Sequence, residues 1–221
     1  MKKNETSPKQ RIFDTAVVLF ARKGFAAVRT REIAEEANVN IAMINYYYGG
    51  KVGVLRAIIN ESYDRFYHAI TDVAKKNAAR EERIKCLVQN LIAFFRANRE
   101  LAMVGFNILP IDIPEMLDLK MTWITEHRSR LNKFFTGLGL DISDTVKMSF
   151  IRGILCALLS SHFNMRYMYE HVLQASDQMK DKRKNTTPEV HLEYDDAYYE
   201  RFGELLSTFY MHGLNSVTSG T

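Results

Sequence analysis

The sequence has few cysteines, and it lacks the alternating apolar and polar pattern of β-strands. Cys86 and Cys156 are the only two cysteines, and they form no CxxC pair. Their scarcity argues against a disulfide framework and a cysteine-based zinc site, and it suits a reducing cytoplasm. Only four residues are proline, and no stretch alternates apolar and polar residues in the way that is typical of strands. We therefore expect an all-α, cytoplasmic protein.

The sequence also lacks a long apolar run. The first residues, MKKNETSPKQR, have no apolar centre and do not look like a secretory signal. The longest uncharged apolar run covers residues 153–165, between Arg152 and Arg166. It is too short to cross a bilayer, so it predicts a buried helix and no membrane partner.

Motifs for catalysis and cofactor binding are missing as well. The sequence contains no GxSxG, no HExxH and no phosphate-binding Gly-rich loop. Its six histidines are scattered at positions 68, 127, 162, 171, 191 and 212. His162, Arg166 and Glu170 follow one another at helical spacing, which favours a hydrogen-bonded helix face over a ligand-binding row. We expect no enzyme activity, no cofactor and no metal site.

The positive charge, modest overall at +4, is concentrated at one end of the chain. Residues 1–55 hold nine Lys or Arg against five Asp or Glu, whereas residues 56–221 hold twenty-one of each. The whole excess therefore lies in the first quarter of the sequence, as expected if that segment meets phosphates. The alternative, a basic N-terminus that is simply solvated, would explain Lys2, Lys3 and Lys9 only.

That basic segment contains the stretch TREIAEEANVNIAMINYYYGGK, from Thr30 to Lys51. The spacing predicts one short helix capped by the Thr30 hydroxyl, and a left-handed residue at Asn38, a conformation that Asn tolerates. Asn40 then caps a second short helix, which reaches Tyr48. Two short helices joined by a tight turn are typical of a helix-turn-helix.

The second helix suits a DNA groove because short side chains stand at its start and hydroxyl and ammonium donors at its end. Taken alone, the triplet Tyr46–Tyr48 would more often be core or surface aromatics of an ordinary bundle. The capped turn before it reverses that preference.

Residues 11–59 resemble the N-terminal DNA-binding domain of TetR-type transcriptional regulators. The resemblance runs from the opening amphipathic helix, through Lys23-Gly24-Phe25 and the TREIA segment, to the YYGGK exit. It departs from the family pattern at Asn38, where Gly is usual, and at Asn45, where Tyr is frequent. The resemblance implies a DNA-binding domain over residues 1–52, and a helical ligand-binding and dimerisation domain over residues 53–221.

The predicted DNA contacts divide into two sets. Those expected at phosphates are Thr30, Arg31, Tyr46, Tyr47 and Lys51. Those expected at or beside base edges are Asn40, Ile41, Ala42, Met43 and Asn45. Apolar members of the second set would meet thymine methyl groups, and Asn45 would meet adenine. For Lys51, loss of the side chain is expected to weaken binding to every sequence and to lower the salt slope by about one.

The middle of the chain is rich in aromatic and methionine residues, which are usually ordinary core but also line ligand pockets. The resemblance makes a pocket for a small-molecule effector an expectation. Its predicted lining is Phe95, Met103, Phe106, Asn107, Trp123, His127 and His162.

The two closing helices are strongly apolar and predict a symmetric dimer, with packing inside one chain as the alternative. TetR-type proteins dimerise in this way, and they are usually repressors that a ligand releases from a palindromic operator. The competing hypothesis is a helical, dimeric small-molecule-binding or interaction protein whose DNA head has lost its function. That hypothesis leaves the capped, basic segment unexplained.

Overall fold

The computed structural model describes residues 6–74, 78–107, 113–179 and 193–218, and these residues form helices and no strand. The all-α prediction is thus confirmed for the described part of the chain. The helices, in order, are α1 (Pro8–Lys23), α2 (Thr30–Glu36), α3 (Ile41–Tyr48), α4 (Lys51–Ala74), α5 (Arg80–Ala97), α6 (Arg99–Asn107), α7 (Leu117–Gly137), α8 (Thr145–Met179) and α9 (Asp196–Thr218). A single 3-10 turn, Pro114–Met116, precedes α7.

The helices are grouped into two compact units. The first unit contains the chain through Ala69 together with Phe94–Lys133, and the second contains Ile70–Ala93 and the residues from Phe134 onward. Helices α4, α5 and α7 each contribute to both. The predicted domain boundary after residue 52 follows the helix-turn-helix motif rather than these units, and it stays a prediction.

In the first unit, α1, α2 and α3 pack against one another around a small apolar core. Helix α1 begins after Ser7, whose hydroxyl accepts a hydrogen bond from the Gln10 amide at 3.2 Å. It ends at Gly24, where φ is +76°. The core side chains that these helices and the intervening loop bury are Ile12, Ala16, Leu19, Phe20, Val28, Ile33, Ala34 and Ile44. Burial of this apolar set holds the three short helices together.

Helices α4 and α6 cross at very close range in the first unit. A Cβ atom added to Gly105 of α6 would lie 2.2 Å from Ser62 Oγ and 2.5 Å from Ser62 Cβ on α4. The Tyr63 hydroxyl donates a hydrogen bond to the Gly105 carbonyl at 3.3 Å. Helix α6 also packs on α1. Glycine at position 105 therefore sets how closely the two helices approach.

In the second unit, α8 packs along α9 through one of its sides. Ile151, Leu155 and Phe163 are buried there, and the Tyr210 hydroxyl of α9 donates to the Ile151 carbonyl at 2.7 Å. A second side of both helices is exposed and largely apolar. We call this surface the apolar face. It consists of Val146, Phe150, Leu158, Met165, Met168, Tyr169, Val172, Leu205 and Phe209.

Residues 153–165 are helical, as predicted, but the expectation that this helix is buried is confirmed for one side only. Gly153, Ala157, Leu158, Ser161 and Met165 are all exposed, because α9 covers only one side of α8. By length and composition alone, the stretch Thr145–Val172 could cross a membrane, and 28% of its most apolar window is buried. It nevertheless carries charged residues, and Arg166 and Glu170 form an ion pair at 2.8 Å.

The sequence also predicts a proline-flanked break at residues 110–114, and a polar loop or frayed helix end at residues 176–188. Residues 110–112 of the first and 180–188 of the second lie outside the described residues. Helix α8 extends to Met179, so residues 176–179 belong to the end of a helix.

Candidate nucleic-acid interface

Helix α2 begins one residue earlier than the sequence suggested. Arg29 is its N-cap, with extended backbone angles, and Thr30 is the first helical residue, so the predicted Thr30 cap is wrong. The Glu32 carboxylate accepts a hydrogen bond from the Arg29 amide at 3.5 Å, which occupies a donor that the helix itself leaves free. Glu32 also pairs with Lys23, and this hydrogen bond lowers the pKa of the Glu32 carboxyl group.

The turn between α2 and α3 has the predicted conformation. Asn38 has a φ of +50° and is the one described non-glycine residue with a positive φ. The Val39 amide then donates to the Ala34 carbonyl at 3.0 Å, which closes the end of α2. Asn40 caps α3, since its Oδ1 accepts from the Ala42 amide at 2.9 Å. Both Asn predictions are confirmed, and the turn brings the start of α3 directly after the end of α2.

Helix α3 buries one side and exposes another. Ile44 is completely buried against the core, whereas Tyr46 is 82% exposed. Ile41, Ala42, Asn45 and Tyr46 form the exposed side, which we call the α3 face. Met43 and Tyr47 are half-buried beside it. The predicted base-contacting residues therefore share one accessible surface, with Met43 at its edge.

The three consecutive tyrosines have different environments. Tyr46 and Tyr47 meet edge to face, with ring centroids 4.9 Å apart. Tyr48 turns back toward α1, where its hydroxyl donates to the Lys9 carbonyl at 2.8 Å. The alternative that the tyrosines are ordinary bundle aromatics thus applies to Tyr48, while Tyr46 remains available to a partner.

Arg31 is available to a partner as well. Its side chain is 83% exposed and pairs with Glu35 one turn later, with Nε 2.8 Å from Oε1. An exposed pair of this kind contributes little to stability and can exchange partners. Thr30, next to it, is half-buried.

Lys51 is placed differently from the other predicted phosphate contacts. Its Nζ donates to the Phe25 carbonyl at 3.0 Å and to the Val28 carbonyl at 2.8 Å, and it lies 4.2 Å from the centroid of the Phe25 ring. Burial lowers the pKa of its ammonium group. The side chain is therefore turned toward the loop between α1 and α2.

Arg11 is a residue that the sequence interpretation missed. Its Nε donates to the Ala37 carbonyl at 3.1 Å and its Nη2 to the Asn38 carbonyl at 3.3 Å. Its Nη1 donates to the Thr6 carbonyl at 3.0 Å. The sequence offered one clue, which is that the end of α2 exposes carbonyl groups that a cation can satisfy. It did not show that α1 would supply that cation.

Residues 12–58, which include α2, the turn, α3 and Lys51, match the family model for bacterial regulatory proteins of the tetR family. The helix-turn-helix described above, with Asn38 in the left-handed position, is therefore a TetR-type DNA-binding domain.

Relatives of this chain extend the likeness beyond that domain. The probable HTH-type transcriptional regulator YttP of Bacillus subtilis is 28% identical over 126 residues, which cover 56% of this chain and 61% of the relative. The chain thus spans about three fifths of the length of this curated relative.

Solved structures share the fold. A regulatory protein of the TetR family from Rhodococcus RHA1 has a TM-score of 0.62 at 22% identity, covering 92% of this chain and 96% of its own. The FadR regulator of Bacillus subtilis, solved in complex with stearoyl-CoA, has a TM-score of 0.60 at 17% identity, covering 96% and 98%.

The predicted ligand residues are only partly brought together. Within the first unit, stacked and edge-to-face rings form an aromatic cluster of Tyr63, Phe66, Phe94, Phe95, Phe106 and Trp123. The ring centroids of Phe95 and Phe106 are 5.8 Å apart. Trp123 joins them through Tyr63, on which it stacks with ring centroids 4.9 Å apart. Met103 is half-buried on α6. The side chains of Asn107 and His127 lie outside the described residues.

His162 belongs to the second unit. Its ring stacks on Phe202 of α9 at 4.3 Å, and burial, followed by the charge of Arg166, lowers its pKa. The predicted hydrogen-bonded row is present for Arg166, which pairs with Glu170 and donates to the Tyr199 hydroxyl. Among the described residues, no group of three or more His, Cys, Asp or Glu side chains could hold a metal ion.

Proposed function

We propose that this TetR-family chain is a DNA-binding transcriptional regulator, most simply a repressor, that reads a palindromic operator as a homodimer and leaves it when a small molecule binds. The observation that carries the proposal is the α3 face. It presents a capped helix start, short side chains and one amide to solution, next to an exposed arginine. The action of such a protein on the chromosome implies a cytoplasmic location.

In the proposed complex, the N-terminal half of α3 enters the major groove. The Asn45 amide reads adenine, while Ile41, Ala42 and Met43 contact thymine methyl groups. Thr30, Arg31, Tyr46 and Tyr47 hold the flanking phosphates. Asn40 acts indirectly, because its side chain is engaged in capping the helix.

The proposed dimer forms through the apolar face. Val146 and Phe209 are 79% and 60% exposed, and the small residues Gly153, Ala157 and Ser161 lie exposed on the same helix. An apolar groove lined by Phe150, Ile154, Phe209 and Gly213 marks one end of the face. Two copies joined here would bury this surface and would present two α3 helices to half-sites about 34–36 Å apart.

The proposed effector site is the aromatic cluster of the first unit. Its rings come from α4, α5, α6 and α7, and α4 begins directly after the helix-turn-helix. A ligand among these rings can therefore bias the position of α4. It will release the operator only if it binds the non-operator arrangement more tightly.

The test of DNA binding is selection of the purified protein against a random-sequence duplex library, followed by salt titration on the selected duplex. Enrichment of a palindrome, with affinity that falls steeply as salt rises, is the expected result. If no sequence is enriched and binding stays weak, the proposal fails for the DNA head, and the competing interpretation as a ligand-binding dimer gains support.

Release of the selected operator then provides the assay for effectors. Stearoyl-CoA, bound by the fold relative FadR, is the first compound to assay, followed by other apolar and aromatic molecules. A true effector should weaken operator binding in a saturable way, and replacement of Trp123 by Ala should raise the concentration required. A compound that acts equally on the Trp123 variant binds elsewhere.

A further inference from the structure

Two cations hold α2 at its two ends, and neither belongs to α2. Lys51 of α4 bonds the carbonyls of Phe25 and Val28, in the loop that leads into α2. Arg11 of α1 bonds the carbonyls of Ala37 and Asn38, where α2 ends and the turn begins. The flanking helices therefore fix both the entry and the exit of α2 through backbone acceptors.

The hydrogen bonds that each side chain makes leave few of its N–H donors for a nucleic acid. Lys51 uses two of its three N–H donors on carbonyls, and the Phe25 ring lies against the ammonium group. All three nitrogens of the Arg11 guanidinium donate to carbonyls. By contrast, the exposed Arg31 bonds only Glu35 among the described residues.

We propose that Arg11 and Lys51 are positioning residues, which orient α2 and thereby aim the α3 face, and that neither contacts a DNA phosphate. The proposal rests on the proposed DNA-binding function. It replaces the phosphate contact that the sequence suggested for Lys51.

The turn connects the end of α2, where Arg11 bonds two carbonyls, to α3. Between Ala37, the C-cap of α2, and Asn40, the N-cap of α3, only Asn38 and Val39 intervene. Arg11 bonds two consecutive carbonyls of this connection, one of which belongs to the left-handed Asn38. A change in those bonds tilts α3 relative to the rest of the head, and a small tilt misplaces side chains that must meet base edges.

Positioning and phosphate contact predict different salt behaviour. Removal of a phosphate contact weakens binding to all sequences and lowers the slope of log affinity against log salt by about one. Loss of a positioning residue leaves the number of phosphate contacts unchanged. It lowers affinity for the selected operator and leaves affinity for unrelated DNA nearly the same.

The experiment compares Lys51→Met, Arg11→Met and Arg31→Ala with the full-length wild-type protein. Affinity is measured for the selected operator and for a random duplex, across a range of salt, well below the midpoint of thermal unfolding. For Lys51→Met and Arg11→Met we expect about a tenfold loss on the operator, consistent with about one to two net hydrogen bonds, and a slope within about half a unit of wild type. Arg31→Ala should lose about one unit of slope on both duplexes.

Arg11→Lys is the matched control for charge. A lysine retains the positive charge that a phosphate needs, but it offers one nitrogen in place of the three guanidinium nitrogens that each reach a different carbonyl. The positioning role predicts operator affinity close to that of Arg11→Met, and faster amide exchange at Val39 in both variants. If Arg11→Lys binds like the wild type while Arg11→Met loses slope, the positioning role is overturned for Arg11.

For Lys51 the overturning result is a slope lower by about one, with equal losses on both duplexes. Should Lys51→Met not fold, Lys51→Gln is measured instead, because its amide keeps a donor for a carbonyl and carries no charge. A positioning role predicts an unchanged salt slope, whereas a phosphate contact predicts a slope lower by about one. If the wild-type protein selects no operator at all, it is the proposed function that fails, and the variants are not needed to show it.

Discussion

The two units of the molecule use their exposed surfaces in opposite ways. In the first unit, cationic and hydroxyl side chains are bonded to backbone carbonyls, and the exposed α3 face is small and mixed in chemistry. In the second unit, α8 and α9 leave a long side that is almost entirely apolar. The first surface suits a hydrated, charged partner, and the second suits another apolar surface.

This difference shows that exposure alone does not identify a partner. Tyr46 on α3 and Phe209 on α9 are both large and exposed. Tyr46 stands beside an amide and an arginine, while Phe209 stands beside Leu205 and across a groove from Phe150. The neighbours of an exposed ring, rather than the ring itself, indicate what will cover it.

The largest effect is expected from a charge placed in the apolar face. Phe209→Asp should convert a dimer to a monomer, because an aspartate cannot be buried without a partner. Operator affinity should fall about a hundredfold or more, since two linked helix-turn-helix domains gain that much affinity from binding one operator together. Sedimentation equilibrium and operator titration measure the two consequences.

Glu200→Lys is the control for that change. Residue 200 is nine positions before Phe209, which is two and a half helical turns at ~3.6 residues per turn, so it lies on the opposite side of α9. It is exposed and should leave the dimer intact. A Phe209→Asp protein that remains dimeric would locate the interface elsewhere.

The first unit is closely packed where α4 crosses α6, in contrast to the exposed side of α8 and α9 in the second unit. Gly105→Ala places a Cβ 2.2 Å from Ser62 Oγ. Overpacking of this kind costs about 1–3 kcal/mol, against which alanine returns up to about 1 kcal/mol of helix propensity. We expect a net loss of about 1–2 kcal/mol in the free energy of unfolding, measured by urea denaturation.

Second-site changes at Ser62 test the cause of that loss. Ser62→Gly should recover part of the stability of Gly105→Ala, because it removes both close atoms. Ser62→Ala should not, because its Cβ stays at the 2.5 Å position. Equal recovery by both would mean that the side-chain oxygen alone caused the strain.

Within the α3 face, Asn45→Ala should alter sequence preference more than overall affinity. Loss of a bidentate amide contact removes about 1–3 kcal/mol of discrimination at one base pair, roughly tenfold. Titration of the operator and its single-base variants measures this. An equal loss on every duplex would refute the base-reading role of Asn45.

The smallest effect concerns pH and the second unit. Burial holds the pKa of His162 below 6.5, so below that pH the unfolded chain binds a proton that the folded chain resists. This contribution to stability is complete above about pH 6.5 and is lost as pH falls toward the lower pKa of the folded state. His162→Phe, which keeps a ring against Phe202, should therefore lose less stability than wild type between about pH 7.5 and pH 5.5 in urea titrations.

Much of the fold could be predicted because periodicity and capping act locally. The opening amphipathic helix, the left-handed Asn38 and the Asn40 cap each depend on residues a few positions apart, and all three are present. The start of α2 was misplaced by one residue because Thr30 is a good capping residue by type. The position was decided by Glu32, whose carboxylate reaches the Arg29 amide.

Long-range contacts could not be predicted in the same way. Lys51 bonds carbonyls more than twenty residues earlier in the chain, and Arg11 bonds carbonyls more than twenty residues later. No periodic pattern marks a backbone carbonyl as an acceptor for a distant cation. The same limit applies to His162, whose packing among the rings of α9 the sequence did not predict.

The apolar face also has a genetic consequence. In the proposed dimer, a subunit can pair with any chain that carries the same face, whatever the condition of the helix-turn-helix of that chain. An allele that damages the α3 face and spares α8 and α9 should therefore be dominant in a cell that also carries the intact allele, because mixed pairs hold one working head and one defective head. An allele carrying Phe209→Asp should be recessive, since its product cannot recruit intact subunits into inactive pairs.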